Sequence, residues 1–177
     1  MQPKVTALLA AITVGCAVTA SYAADPARED AMLSRAKVSI NQAITVAEEQ
    51  SSGQAIEAEY IPKSDTMGIY DVKVLSMDGK KLLHFSINPE NGRVLKATRE
   101  RFEKLSTRIS PADLQNVQTP LKGAIKTAEA QTGGKAVMAD TARHDGTIRY
   151  TVRVAMADGT TETIKVNGAD GKVASAK

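Results

Sequence analysis

Thiol chemistry is almost absent from this chain. Its single cysteine, Cys16, sits in the apolar N-terminal stretch, so a mature protein lacking that stretch has neither a disulfide nor a nucleophilic thiol, and side-chain packing must hold it together. Tryptophan is missing, and only four Tyr and two Phe are present. That leaves no stacking platform for nucleic acid. No charge of one sign dominates. Residues 1–23 contain one basic residue, Lys4, and no acidic one, so the remainder carries 22 Lys plus Arg against 20 Asp plus Glu. The charges are interspersed, and the sequence gives no reason to expect a nucleic-acid partner. The densest basic stretch, Arg93 to Arg108, also holds Glu100 and Glu103 and reads as a solvated helix or linker face. The longest apolar run, Val5 to Ala20, is 16 residues, shorter than the roughly 20 that span a bilayer as a helix. No permanent membrane span is expected.

Catalytic signatures are also missing. The chain has no His-Glu-x-x-His, no Gly-x-Ser-x-Gly, no phosphate-binding loop and no dinucleotide fingerprint. His84 and His144 are the only histidines. They read as a surface strand residue and a loop residue, and zinc would need further imidazole, thiolate or carboxylate groups close by. Asn88-Pro-Glu-Asn-Gly92 and Asn167-Gly-Ala-Asp-Gly171 gather oxygen atoms and glycine as calcium loops do, but both are too short and read as hairpin turns. Glu48-Glu49 and Glu57 with Glu59 read as solvated faces. The expectation is a non-enzyme with no cofactor and no metal.

The N-terminus indicates export. Lys4, the apolar run and Ser21-Tyr22-Ala23 have the layout of a signal peptide cleaved between Ala23 and Ala24, which predicts a periplasmic or secreted protein. A lipoprotein acylated at Cys16 is the competing reading. Thr13 fits it poorly, because such signals prefer a larger aliphatic residue there.

Beyond the leader, one block occurs twice about eighty residues apart. Ile40, Ala43, Ile44 and Ala47 form a stripe at i, i+3, i+4 and i+7, and Leu121, Ala124, Ile125 and Ala128 repeat it. Ser39 with Gln42 makes a capping box for the first helix, and Thr119 followed by Pro120 starts the second. Gly53 and Gly133-Gly134 supply the stops. The period then changes to two. Ile56, Ala58 and Tyr60, then Tyr70, Val72 and Val74, then Leu83, Phe85 and Ile87 alternate with polar residues as half-buried strands do. Met77-Asp78-Gly79-Lys80 suits a tight hairpin, with both central residues able to take positive φ. Val94-Leu95 begins a fourth strand. The second copy places strands near 137–142, 148–156, 162–166 and 172–175. Tyr70-Asp-Val72-Lys-Val74 returns as Tyr150-Thr-Val152-Arg-Val154, and Asn88 with Gly92-Arg93-Val94 returns as Asn167 with Gly171-Lys172-Val173. Internal repetition of this kind specifies architecture more firmly than any single motif.

The expected class is α+β, with two tandem units, each a helix packed on an antiparallel sheet of three or four strands. Residues 1–23 form the signal peptide, 24–37 an N-terminal helical extension, 38–99 the first repeat, 100–117 a docked helical connector and 118–177 the second repeat. The connector shows helical spacing at Phe102, Leu105 and Ile109 and a fresh start at Ser110-Pro111. Units of about 60 residues are at the small end of what folds alone, so the two sheets are expected to share an interface or join edge to edge.

The stripe Ile40-x-x-Ala43-Ile44-x-x-Ala47, the strand Tyr70-x-Val72, Asp78-Gly79 and Asn88-x-x-x-Gly92-Arg93-Val94 resemble a PepSY domain, and the second copy resembles it through the positions given above. PepSY domains are similar to segments of secreted thermolysin-type propeptides and are associated with regulating peptidases outside the cytoplasm. The resemblance implies a binding module that inhibits or regulates a peptidase or another envelope enzyme, acting by occlusion. The competing class is a structural or ligand-sensing envelope domain with no protease target. Met67, Gly68 and Ile69 are the candidate protein-binding residues, as an apolar stretch after a polar loop where an exposed strand edge could accept another chain.

Overall fold

The computed structural model describes residue 33 and residues 35–64, 68–101 and 109–174. The expected signal peptide, its cleavage point at Ala23 and Ala24, most of the N-terminal extension, Met67, and Phe102 and Leu105 of the expected connector lie outside the described residues. In chain order the elements are α1 (Ile40–Ser51), β1 (Gly53–Pro62), β2 (Gly68–Ser76), β3 (Lys81–Ile87), β4 (Val94–Arg101), α2 (Pro111–Gln115), α3 (Leu121–Thr132), β5 (Lys135–His144), β6 (Thr147–Ala155) and β7 (Thr161–Asn167). The strands form one seven-stranded antiparallel sheet in the order β4-β3-β2-β1-β5-β6-β7. A helix followed by four hairpin-linked strands lies on one side of the β1–β5 seam, and a helix followed by three on the other.

The helical stripes bury as their spacing dictates. Ile40, Ala43, Ile44 and Ala47 of α1 face β1 and β2, and Leu121, Ala124, Ile125 and Ala128 of α3 face β5, β6 and β7. The alanines let the helices lie close, while each enclosed Ile or Leu contributes roughly 1.5–3 kcal/mol of hydrophobic stabilisation. Under them, Ala58, Tyr60, Val72, Val74, Phe85 and Ile87 form the inner face of one half, and Ala139, Tyr150, Val152, Val154 and Val166 that of the other. The Tyr60 and Tyr70 rings meet edge to face, with centroids 5.5 Å apart.

Local hydrogen bonds recur in both halves. β1 bulges after Ala55 and β5 after Ala136. In each case a helix glutamate one turn from the helix end reaches the strand: Glu48 Oε1 accepts from the Ala55 amide at 3.1 Å, and Glu129 Oε1 from the Ala136 amide at 3.0 Å. Ile109 and Leu114, ahead of α3, join the core. Leu33 is 2% exposed and Leu114 5%, and they join the core ahead of α1 and α3 respectively.

Several boundaries differ from expectation for local reasons. Ser52, not Gly53, takes the left-handed conformation that ends α1 (φ 50°), whereas Gly133 does so after α3 (φ 76°). Gly53 and Gly134 instead open the next strands, where a Cβ would run into the Leu75 carbonyl and Val74, or the Ala155 carbonyl and Val154. Pro120 stands at the N-cap of α3 without a side-chain hydrogen bond, so the helix begins one residue later than Thr119-Pro120 suggested. The Asp78-Gly79 turn is a longer loop in which only Gly79 has positive φ; Asp145-Gly146, with both residues positive, makes the tight two-residue hairpin. The fourth strand of the second half shrinks to one bridge, Val166 to Val173. β4, in contrast, runs through Thr98 to Arg101, where a helical connector and a solvated helix or linker face were expected.

Candidate functional site

Among the described residues, no three His, Cys, Asp or Glu side chains are placed to hold a metal ion. His84 Nε2 lies 3.8 Å from Glu100, too far for a hydrogen bond. His144 Nδ1 meets only its neighbour Asp145, at 2.7 Å, on an exposed hairpin end. The two oxygen-rich turns use their acceptors locally. Asn88 Oδ1 accepts from the Glu90 amide and Asn91 Oδ1 from the Arg93 amide; Asn167 Oδ1 accepts from the Ala169 amide and Asp170 Oδ1 from the Lys172 amide. These are side chains mimicking a backbone turn.

The helix-free face of the sheet carries paired charges along the seam. Glu57 bonds Lys73 through both oxygens at 2.8 Å, and Arg153 reaches across from β6 to Glu59 at 3.4 Å. Asp140 stands opposite Glu57 in the β1–β5 register. Burial and the Glu57 charge push its carboxyl up, against the Thr141 amide and Lys73, which pull it down. This is a mixed surface that holds the seam, not a proton-transfer pair in a cleft.

On the helix side, a cavity of about 190 Å³ opens between the start of α1 and the end of α3, lined by Lys37, Gln42, Tyr70, Glu129 and Lys135 among others. Its most perturbed group is already committed: the Tyr70 hydroxyl donates to the Val38 carbonyl at 2.7 Å. Burial, then Tyr60, then the Glu129 charge push this phenol up, so it stays a neutral donor that ties the entry of α1 to β2.

The residues singled out for protein binding fall on an interior strand. Gly68 and Ile69 pair with Pro62 and Ile61 of β1, and β2 lies between β1 and β3, so this stretch is not the exposed edge that sequence reasoning envisaged. Gly68 is buried against the Tyr60 ring and Ile69 is partly covered. The true sheet edges are β4 and β7. β7 is partly covered by the bridge at Val173 and by the Ala174 amide, which donates to the Lys165 carbonyl. On β4 the side chains of residues 95–100 are all exposed, with Leu95 at 56%. The available signal was the basic run itself, but nothing local distinguishes an exposed edge strand from a solvated helix.

Comparison with known proteins bears on the first half. Residues 37–98 match the family model described as peptidase propeptide and YPEB domain, PepSY. No curated protein matches the chain at a significant level. Among solved structures, the chain is similar to a crystal structure from Clostridium difficile 630 of a protein described only provisionally as a lipoprotein; it shares 18% identity, covers 83% of this chain and 97% of that one, and superposes with a TM-score of 0.50. At that identity the likeness concerns the fold alone. No helix among the described residues is long and apolar enough to cross a membrane. The helix, the hairpin-linked strands and the Asn88 to Gly92 turn therefore come together, over residues 37–98, as a PepSY domain.

Proposed function

We propose that this protein is an exported, non-enzymatic binding module of two PepSY-type units that restrains or tunes a peptidase of the cell envelope. The observation that carries this reading is the match of residues 37–98 to a domain of peptidase propeptides, which are generally regulatory and not catalytic. The second unit rests on the recurrence of the stripe, the bulge, the helix-to-strand glutamate and the asparagine turn in residues 118–174. Export rests on the signal-peptide layout of residues 1–23. On this reading the protein acts through its surface, by covering part of its target.

The test is an inhibition titration. The chain from Ala24 onward is added to a secreted thermolysin-type metallopeptidase cleaving a protein substrate. Inhibition or redirected cleavage that saturates at a fixed molar ratio supports the proposal. Unchanged peptidase kinetics, together with self-association as the sole interaction, would favour the structural role instead.

A further inference from the structure

We infer that the outer edge of β4 is a docking strand for an extended acidic segment of the partner, an inference that rests on the binding role proposed above and specifies its surface. Among the described residues, β4 ends the sheet on the first-half side and pairs only with β3. Alternate residues of an edge strand turn their amide and carbonyl groups away from the sheet, and such a row templates an added strand. After a bulge at Leu95, the six residues Lys96–Arg101 continue the ladder in regular register, the length of a typical strand, with no turn or proline among them.

Charge selects the occupant. From residue 93 to residue 101 the sequence carries Arg93, Lys96, Arg99 and Arg101 against one acid, Glu100. A second copy would bring a strand of the same net positive charge alongside this one, whereas an acidic segment complements it. The opposite edge, β7, is balanced by Glu162 and Lys165 and is partly occupied by the chain's own Val173 and Ala174. The register refines the match. Lys96 pairs with Ser86 and Arg99 with Leu83, so the two cations fall on opposite faces of the sheet. The matching segment carries two carboxylates three residues apart, one against Lys96 and one against Arg99. Leu95, exposed beside them, offers an apolar contact. Backbone pairing supplies affinity, and the two carboxylates supply selectivity.

Hydrogen exchange on the chain from Ala24 onward tests this with three extended peptides of one Val/Thr sequence, bearing two Asp three apart, two Lys at the same places, or neither. The Asp peptide is expected to slow exchange of β4 amides at least tenfold more than the others. The K96E/R99E double variant, whose changes are exposed and leave the core intact, should reverse the preference toward the Lys peptide. Equal effects of all three peptides, protection confined to β7, or protection of β4 that grows with protein concentration alone would overturn the inference. The same double variant separates the two readings in the peptidase assay. Acid-selective protection of β4 with no peptidase response refutes the proposed function and leaves the docking strand standing. Undiminished inhibition by the double variant refutes the docking strand and leaves the function standing.

Discussion

Single residues show where the two halves solve one problem differently. α1 ends on Ser52 at φ 50°, while α3 ends on Gly133 in the same left-handed conformation. An L-residue there is strained by its Cβ, by roughly 1–2 kcal/mol, and glycine is not. Glycine also has more freedom to lose on folding, so Ser52→Gly is expected to raise stability by about 0.5–1 kcal/mol in urea titration. Thr141 is a second case. It faces Tyr150 on the inner side of the sheet, is 5% exposed, and its hydroxyl has no hydrogen-bond partner among the described residues. The position eighty-one residues earlier is Tyr60, which fills its space with a ring packed on Tyr70. Thr141→Val keeps the shape and removes the orphaned hydroxyl, for an expected gain of about 1 kcal/mol. A fall in the urea midpoint would show that the hydroxyl is satisfied in solution. Tyr150, whose phenol burial pushes up to about 12, remains neutral throughout the pH range of such an experiment.

Among the elements, the seam strands show a cost accepted for position. β1 and β5 pair over only three residue pairs, Glu57 with Asp140, Ala58 with Ala139 and Glu59 with Met138. The first sets two acids face to face. Because the folded pKa of Asp140 is raised, the folded state binds its proton more tightly than the unfolded chain does. The resulting destabilisation is absent below the ordinary carboxylate pKa of about 4, grows as pH rises through the raised value, and is complete above it. Asp140→Asn should therefore stabilise the protein near neutral pH by a few tenths to about 1 kcal/mol, the usual range for a cross-strand charge pair. The advantage should disappear toward about pH 3. An advantage independent of pH would place its origin elsewhere than in charge. The turn acids behave oppositely. Asp78, held by the Ser76 hydroxyl and the Lys80 amide, and Asp158, held by the hydroxyl and amide of Thr160, have lowered pKa values, and their contribution is lost as pH falls through them.

For the molecule as a whole, a short seam is reinforced from the helix layer. Lys122 of α3 pairs with Glu48 of α1 at 2.8 Å, and that same glutamate holds the β1 bulge through its other oxygen. The two halves share one continuous apolar core, which also takes in Ile109 and Leu114 ahead of α3. Calorimetric unfolding should accordingly show one transition, with van't Hoff and calorimetric enthalpies equal within error. Two resolved transitions would mean that the seam joins independently stable units. Glu48→Ala removes the helix-to-strand bond and the inter-helix pair together, and should broaden or split that transition while lowering its midpoint.

The helices, their buried stripes, the inner faces of most strands and the asparagine turns were legible in the sequence, because each follows from spacing along a few neighbouring residues. Ile40 to Ala47 need only the 3.6-residue period to find a buried face, and Tyr70 to Val74 need only alternation. Pairing partners were not legible. Alternation tells which way a side chain points but not which strand lies alongside, so Gly68 and Ile69 looked like an edge yet sit between β1 and β3, while the strand expected to begin at Val94-Leu95 runs on through residues 98–101, which read as a solvated helix or linker face, and forms the edge itself. Lys96, Ala97, Arg99 and Glu100 have no strong strand preference; they are extended because β3 offers them a ladder. The sequence by itself determined what each segment is and which residues it buries, since those are local consequences of period and polarity. Only the tertiary structure decided which backbone edge stays open, because that depends on which strands have already found partners.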